Sequence, residues 1–196
     1  VEAVSFGTLV RPHRAGAREI TQVRLASSVL RVSLLNFGAS LHTVEAPDRR
    51  GVITHVHLSS PHLADYEDPA RNPYLGATVG RYANRIVGSG FELDGRTVAL
   101  VPNEGPHHLH GGPEGFSRRV WELDEASDEG DGARVTMSLV SPDGDGGYPG
   151  TLRATATYVV AGPTITITYQ ATTDAPTVVN LCSHGYWNLG GPEGWT

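Results

Sequence analysis

The chain has 196 residues, 39% of them apolar, and a formal net charge of −6, values that describe an ordinary soluble globular chain with one core or two. Its 15 basic residues are all arginines, which excludes Schiff-base or lysine-base chemistry, and an acidic balance without a basic cluster excludes nucleic acid as the expected partner. A single cysteine, Cys182, excludes an internal disulfide framework and a multi-cysteine zinc site within one chain.

Period-two alternation dominates from the N-terminus onward. In "VLRVSLL" Leu30, Val32 and Leu34 share one face, which predicts a strand with one side in the core. The segment 61–71, with Asp65, Glu67, Asp68 and Pro69, predicts an irregular loop holding at most a short turn. "GATVGRYANRI" (residues 76–86) sets two arginines and an asparagine between strand-like runs. "GFELDGRTVAL" predicts a hairpin turning at Asp94-Gly95, and the preceding "GSG" lacks the third glycine and the helix of a dinucleotide fingerprint. The acidic "DEASDEGDG" (124–132) is expected to be a solvated hairpin loop. Val135, Met137 and Leu139 alternate in the next run. "TLRATATYVV" and "TITITYQ", joined by "AGP", predict two adjacent antiparallel strands. With 24 glycines and 13 prolines punctuating short strands, the fold class is all-β, an antiparallel β-sandwich. The whole of 1–196 is expected to form one such domain.

No apolar run approaches the eighteen or so residues of a membrane-spanning helix, no basic-then-apolar signal opens the chain, and no Asn-x-Ser/Thr acceptor occurs. The expected setting is the cytoplasm, with no membrane partner. Two histidine pairs at strand spacing, His55/His57 and His108/His110, would share a face, but neither has a third ligand, so no metal is expected. "DGDGGYPG" (143–150) fails as a calcium loop, because Tyr148 stands at its sixth position and Ala154 at its twelfth, and reads as a tight turn between strands. No G-x-S-x-G is present, and Cys182 in "VVNLCSH" is expected to be a buried, inert thiol.

What remains is a set of polar residues in glycine- and aromatic-rich stretches: Arg81, Asn84 and Arg85; His107 and His110; His184, Tyr186, Trp187 and Asn188. Flat rings that stack on sugar C–H surfaces, together with Arg and Asn that bond hydroxyls, are the inventory of a sugar site. Histidine adds a group able to give and take protons near neutral pH.

Taken in order, "YLGATVGRYANRI", "FELDGRTVALVPNEGPHHLHGG", "GFSRRVWEL", "SPDGDGGYPGTL" and "VVNLCSHGYWNLGG" resemble the aldose 1-epimerase (galactose mutarotase) family over nearly the whole chain. The resemblance implies a supersandwich of large antiparallel sheets and the interconversion of α and β anomers of aldohexoses such as galactose or glucose, with a sugar as partner and no cofactor. It also implies that Asn84 and Arg85 bind sugar hydroxyls. His110 would bind and orient the ring, and His184 would be the general acid at the ring oxygen. The family's general base, a glutamate near its C-terminus, has no counterpart here, and neither Glu193 nor Asp174 matches a family motif. The chain is therefore expected to be the N-terminal portion of a longer sandwich, truncated at its C-terminus, with exposed sheet edges through which it can self-associate. The alternative is a noncatalytic carbohydrate-binding module using the same side chains.

Overall fold

The computed structural model describes residues 1–10 and 17–190. Two antiparallel sheets form its body. The first has five strands in sequence order: β1 (Glu2–Val10), β2 (Ala17–Ala26), β3 (Arg31–Leu35), β4 (Ser40–Pro47) and β5 (Ile53–His55). A single helical turn, α1 (Leu63–Glu67), follows. Four short strands come next: β6 (Thr78–Val79), β7 (Arg85–Ile86), β8 (Gly90–Leu93) and β9 (Arg96–Ala99). After β10 (His108–Leu109), the second sheet runs β11 (Glu122–Asp128), β12 (Gly132–Ser141), β13 (Leu152–Ala161) and β14 (Thr164–Thr173). The last described strand is β15 (Cys182–Ser183).

The main core lies between the two sheets. Val23, Leu25, Val32, Leu34, Leu41 and Val44 from the first sheet meet Val135, Met137, Ala154, Ala156, Tyr158 and Val160 from the second, with Trp121 buried among them. Each fully buried aliphatic side chain of this kind contributes about 1.5–3 kcal/mol of transfer free energy. The alternation read in β12 and β13 therefore marks their inward faces. The expected hairpins also form. Leu93 pairs with Arg96 across Asp94 (φ 49°) and Gly95 (φ 73°), the two left-handed residues of a type I′ turn. Ala161 pairs with Thr164 across Gly162-Pro163, with Gly162 at φ 50°. The α1 segment is the short turn expected there.

Three expectations need correction. In β3 the strand is buried on both faces, because Leu35 belongs to a second core, with Leu9, Ile20, Phe37, Tyr66 and Leu75, on the other side of the first sheet. The acidic stretch 124–132 is mostly strand: β11 carries its charged residues outward on the sheet edge, and only residues 129–131 turn. Cys182 is exposed: among the described strands β15 pairs with β6 alone, at the end of a two-stranded ladder.

Candidate functional site

Two small ladders assemble the motif stretches. β6 pairs with β15 (Val79 with Cys182, Thr78 with Ser183), and β7 pairs with β10 (Arg85 with Leu109, Ile86 with His108). The segment 76–86 is thus the centre, holding the His184 stretch on one side and the His110 stretch on the other. Main-chain bonds extend both ladders: the His184 N–H donates to Ala77 O (2.9 Å), and the His110 N–H donates to Asn84 O (3.1 Å). The glycines let the backbones close up. A Cβ on Gly76 would stand 1.8 Å from Leu41 O, and one on Gly111 would stand 1.6 Å from Gly80 O. Both also have positive φ, which glycine alone adopts without strain.

His110 and His184 meet edge to face, ring centroids 5.0 Å apart. Tyr74 packs on both, 4.7 Å from His110 and 5.5 Å from His184, and Tyr186 flanks His184 at 5.2 Å. Tyr74, Asn84 and His110 hold φ of 64°, 68° and 52°. Left-handed backbone at non-glycine residues costs of order 1–3 kcal/mol each and persists where surrounding structure over-determines it, as at functional sites.

The chemistry of His110 is fixed by one bond: its Nδ1 accepts from the Asn84 N–H at 3.0 Å. The ring is therefore neutral with its proton on Nε2, a hydrogen-bond donor held ready for a ligand oxygen. Burial, followed by the His184 and Arg85 charges, lowers its pKa to about 4. Among the described residues neither ring nitrogen of His184 has a hydrogen-bond partner. Arg85 is exposed and donates from Nε and Nη2 to the two carboxylate oxygens of Glu104, the second bond measuring 2.5 Å. That pairing raises the guanidinium pKa and lowers that of the carboxyl. Asn84 Oδ1 accepts from the Arg85 N–H (2.9 Å) and so stiffens the approach to it.

The structure thus brings Arg85, Asn84, His110 and His184 into one cluster, with the Asn84 and Arg85 side exposed and the two imidazoles half-buried. Other candidates fall elsewhere. Arg81 is 2% exposed, and its guanidinium donates to Ser141 Oγ (2.9 Å), Ser141 O (2.9 Å), Pro142 O (2.8 Å) and Pro149 O (3.0 Å), fastening the turn 142–150. His107 Nδ1 accepts from the Gly88 N–H (3.2 Å), and Trp187 stacks edge-on against His57. Asn188 donates its main-chain N–H to Val56 O (2.9 Å).

The shared faces expected for the histidine pairs do not form, because each strand ends too early. β10 stops at Leu109, so His108 turns inward, with Nδ1 against Val101 O (2.6 Å) and Nε2 against Tyr148 OH (2.7 Å). β5 stops at His55, which stays exposed beside Glu45, while His57 is buried with Nδ1 on His42 O (3.1 Å). Among the described residues no group of three or more His, Cys, Asp or Glu is placed to hold a metal. Asp174 Oδ1 accepts from the Thr151 N–H (2.7 Å) at the open end of the β13–β14 hairpin, and Glu193 lies outside the described residues. Sequence reasoning missed Tyr74 and Glu104; their only signal was position, within the first motif stretch and beside Asn103.

The fold is that of the galactose mutarotase-like β-sandwiches. A galactose 1-epimerase from Lactobacillus acidophilus NCFM superposes with a TM-score of 0.81 at 29% identity, covering 96% of this chain and 53% of that one. The family model described as aldose 1-epimerase matches residues 21–196, and the chain belongs to that family. It is 42% identical over 163 residues to an aldose 1-epimerase of Escherichia coli (strain K12), covering 83% of this chain and 45% of the relative. It is 38% identical over 177 residues to a galactose mutarotase of Sus scrofa, covering 90% and 50%. The chain spans about half the length of the curated relatives it matches. No helix among the described residues is long and apolar enough to cross a membrane.

Proposed function

We propose that this chain carries the substrate-binding and general-acid half of an aldose 1-epimerase, with 1–196 forming one sandwich unit of the longer protein. The observation that carries the reading is the His110–His184 contact beside Arg85. One imidazole is locked as a neutral donor, and the ring nitrogens of the other have no partner among the described residues. In this reading Arg85, Asn84 and His110 hold the hydroxyls of an aldohexose such as galactose or glucose. His184 protonates the ring oxygen as the ring opens to the aldehyde. Rotation about C1–C2 and closure on the other face gives the other anomer. The base that takes the C1 hydroxyl proton comes from outside this chain. A positioned acid and base contribute about 10²–10⁴-fold each, and the reaction involves no net oxidation and no covalent intermediate. The noncatalytic sugar-binding alternative shares every contact and lacks only the base. An exposed free thiol at Cys182 fits a reducing, cytoplasmic setting.

The test is polarimetry of freshly dissolved α-galactose and α-glucose with the purified chain and its His184→Ala variant, alongside sugar binding followed by NMR. Saturable binding without acceleration is the expected result for the chain alone. Acceleration abolished by His184→Ala would place a base within these residues. No binding by the folded chain would contradict the reading.

A second observation favours self-association through a sheet edge. β14 ends its sheet with ten residues, "TITITYQATT", that hold no charge, no proline and no glycine, and its pairing with β13 is free of bulges. The other sheet edges are managed: β11 is acidic and bulged, β1 is bulged at Ser5/Gly7, and β5 has three residues. The proposed contact is β14 against β14 of a second copy. Light scattering should show a dimer that Thr168→Lys reduces to monomer; a monomeric wild-type chain would contradict it.

A further inference from the structure

We propose that Glu104 is a specificity-determining residue that occupies and neutralises Arg85, so that the site accepts uncharged aldoses and rejects anionic sugars such as uronates. The inference rests on the sugar-site reading above and adds the residue that keeps charged sugars out of that site. Glu104 is placed by its main chain: its N–H donates to His107 O (3.1 Å) and its O accepts from the His107 N–H (3.0 Å). Next to it, Asn103 closes the loop onto Leu109, donating from Nδ2 to Leu109 O (3.0 Å) and accepting the Leu109 N–H at Oδ1 (2.7 Å). The loop that delivers His110 to the site therefore delivers the Glu104 carboxylate with it.

A guanidinium edge is a bidentate receptor for carboxylates. Glu104 fills the Nε–Nη2 edge of Arg85 with both of its oxygens, and so stands where the carboxylate of an anionic ligand would bind. For a uronate to take that edge it must expel Glu104 and leave two carboxylates facing each other. A neutral sugar has no such conflict. Arg85 Nη1 makes no bond among the described residues, and the carboxylate keeps unused lone pairs. The pair therefore offers a donor and an acceptor side by side to hydroxyls, which are themselves both. Both partners are partly exposed, with side chains 47% and 39% accessible, so they can meet a ligand without opening the fold.

The experiment compares D-galactose and D-galacturonate as probes, titrated into the ¹⁵N-labelled chain and its Glu104→Gln variant at low ionic strength. The Arg85 Nε–H and the imidazole signals report binding, and amide dispersion confirms the fold. The expected result is that the ratio of galacturonate to galactose affinity rises at least about tenfold in Glu104→Gln, with the gain abolished in the Arg85→Gln/Glu104→Gln double variant. An unchanged ratio while galactose still binds overturns this proposal and leaves the sugar site standing. A gain that survives in the double variant also overturns it, because the anion would then be held elsewhere. If neither sugar binds either protein, the sugar-site reading falls and takes the proposal with it.

Discussion

Arg81 and Arg85 lie one short loop apart, and the regions they occupy behave in opposite ways. Around Arg81 every charge is spoken for: four acceptors from the turn 141–149 surround its guanidinium, and Ser141 Oγ passes the network on to Asp145 (2.5 Å), which holds Arg119 (2.6 Å). Burial lowers the Arg81 pKa, but its partners keep the charge satisfied. Around Arg85 the groups are few, partly exposed and turned toward one another, with left-handed backbone at Asn84 and His110. The first region is a fastener and the second is the proposed sugar site. The histidines divide the same way: His42, His57 and His108 are buried in the body, whereas His110 and His184 face the open cluster.

The largest effect should come from breaking the fastener. Arg81→Met removes a buried charge and orphans three carbonyls and a hydroxyl, so unfolding should be easier by about 3–5 kcal/mol in denaturant titration. A loss no larger than that of a surface substitution would erase the distinction between the two arginines.

Acid should come next. Burial, followed by the charges of His57 and His55, lowers the His42 pKa to about 4, so its unfolded form binds the proton first. The neutral-state contribution is complete above about pH 6.5 and is lost as pH falls from there to about 4, up to ~3 kcal/mol for His42 alone. Thermal midpoints measured across that window should fall steadily, and a flat profile would contradict the burial of these rings. His110 is neutral over most of the same range, so sugar binding at its Nε2–H should persist to about pH 5 wherever the fold survives.

Gly111→Ala probes the seam between the two regions. The added methyl would stand 1.6 Å from Gly80 O in a backbone already at φ 88°, so the variant should lose at least the ~1–3 kcal/mol of the φ strain alone and displace the His110 ring signals in NMR. The smallest stability effect belongs to Arg85→Met, whose thermal midpoint should stay within about 1 °C of the parent while sugar binding weakens. A midpoint drop comparable with that of Arg81→Met would make Arg85 structural.

Much of the fold was legible because it is local. Asp94-Gly95 states its turn type, and Val135, Met137 and Leu139 state their face, in the residues themselves. Period-two reading fails where burial is not one-sided: β3 alternates, yet Leu35 is as buried as Leu34 because a second core lies behind the sheet. It also misread β11, whose acidic residues line an outer strand and only then a turn. In the candidate site the residue types were legible and their fates were not. Nothing local separates Arg81 from Arg85, since the difference lies in the turn around Ser141 some sixty residues away. Glu104 was invisible for the same reason: its importance lies in reaching Arg85 across the β7–β10 ladder. Cys182 looked buried from its apolar neighbours, yet exposure is set by what packs over a strand rather than by what precedes it.

The most direct measurement is a galactose titration of the folded chain with imidazole-selective ¹⁵N NMR detection. The account predicts saturable shifts at the Nε2 of His110 and at both nitrogens of His184, with His42, His57 and His108 unmoved. Shifts confined to the buried histidines, or none from a folded sample at saturating sugar, would contradict it.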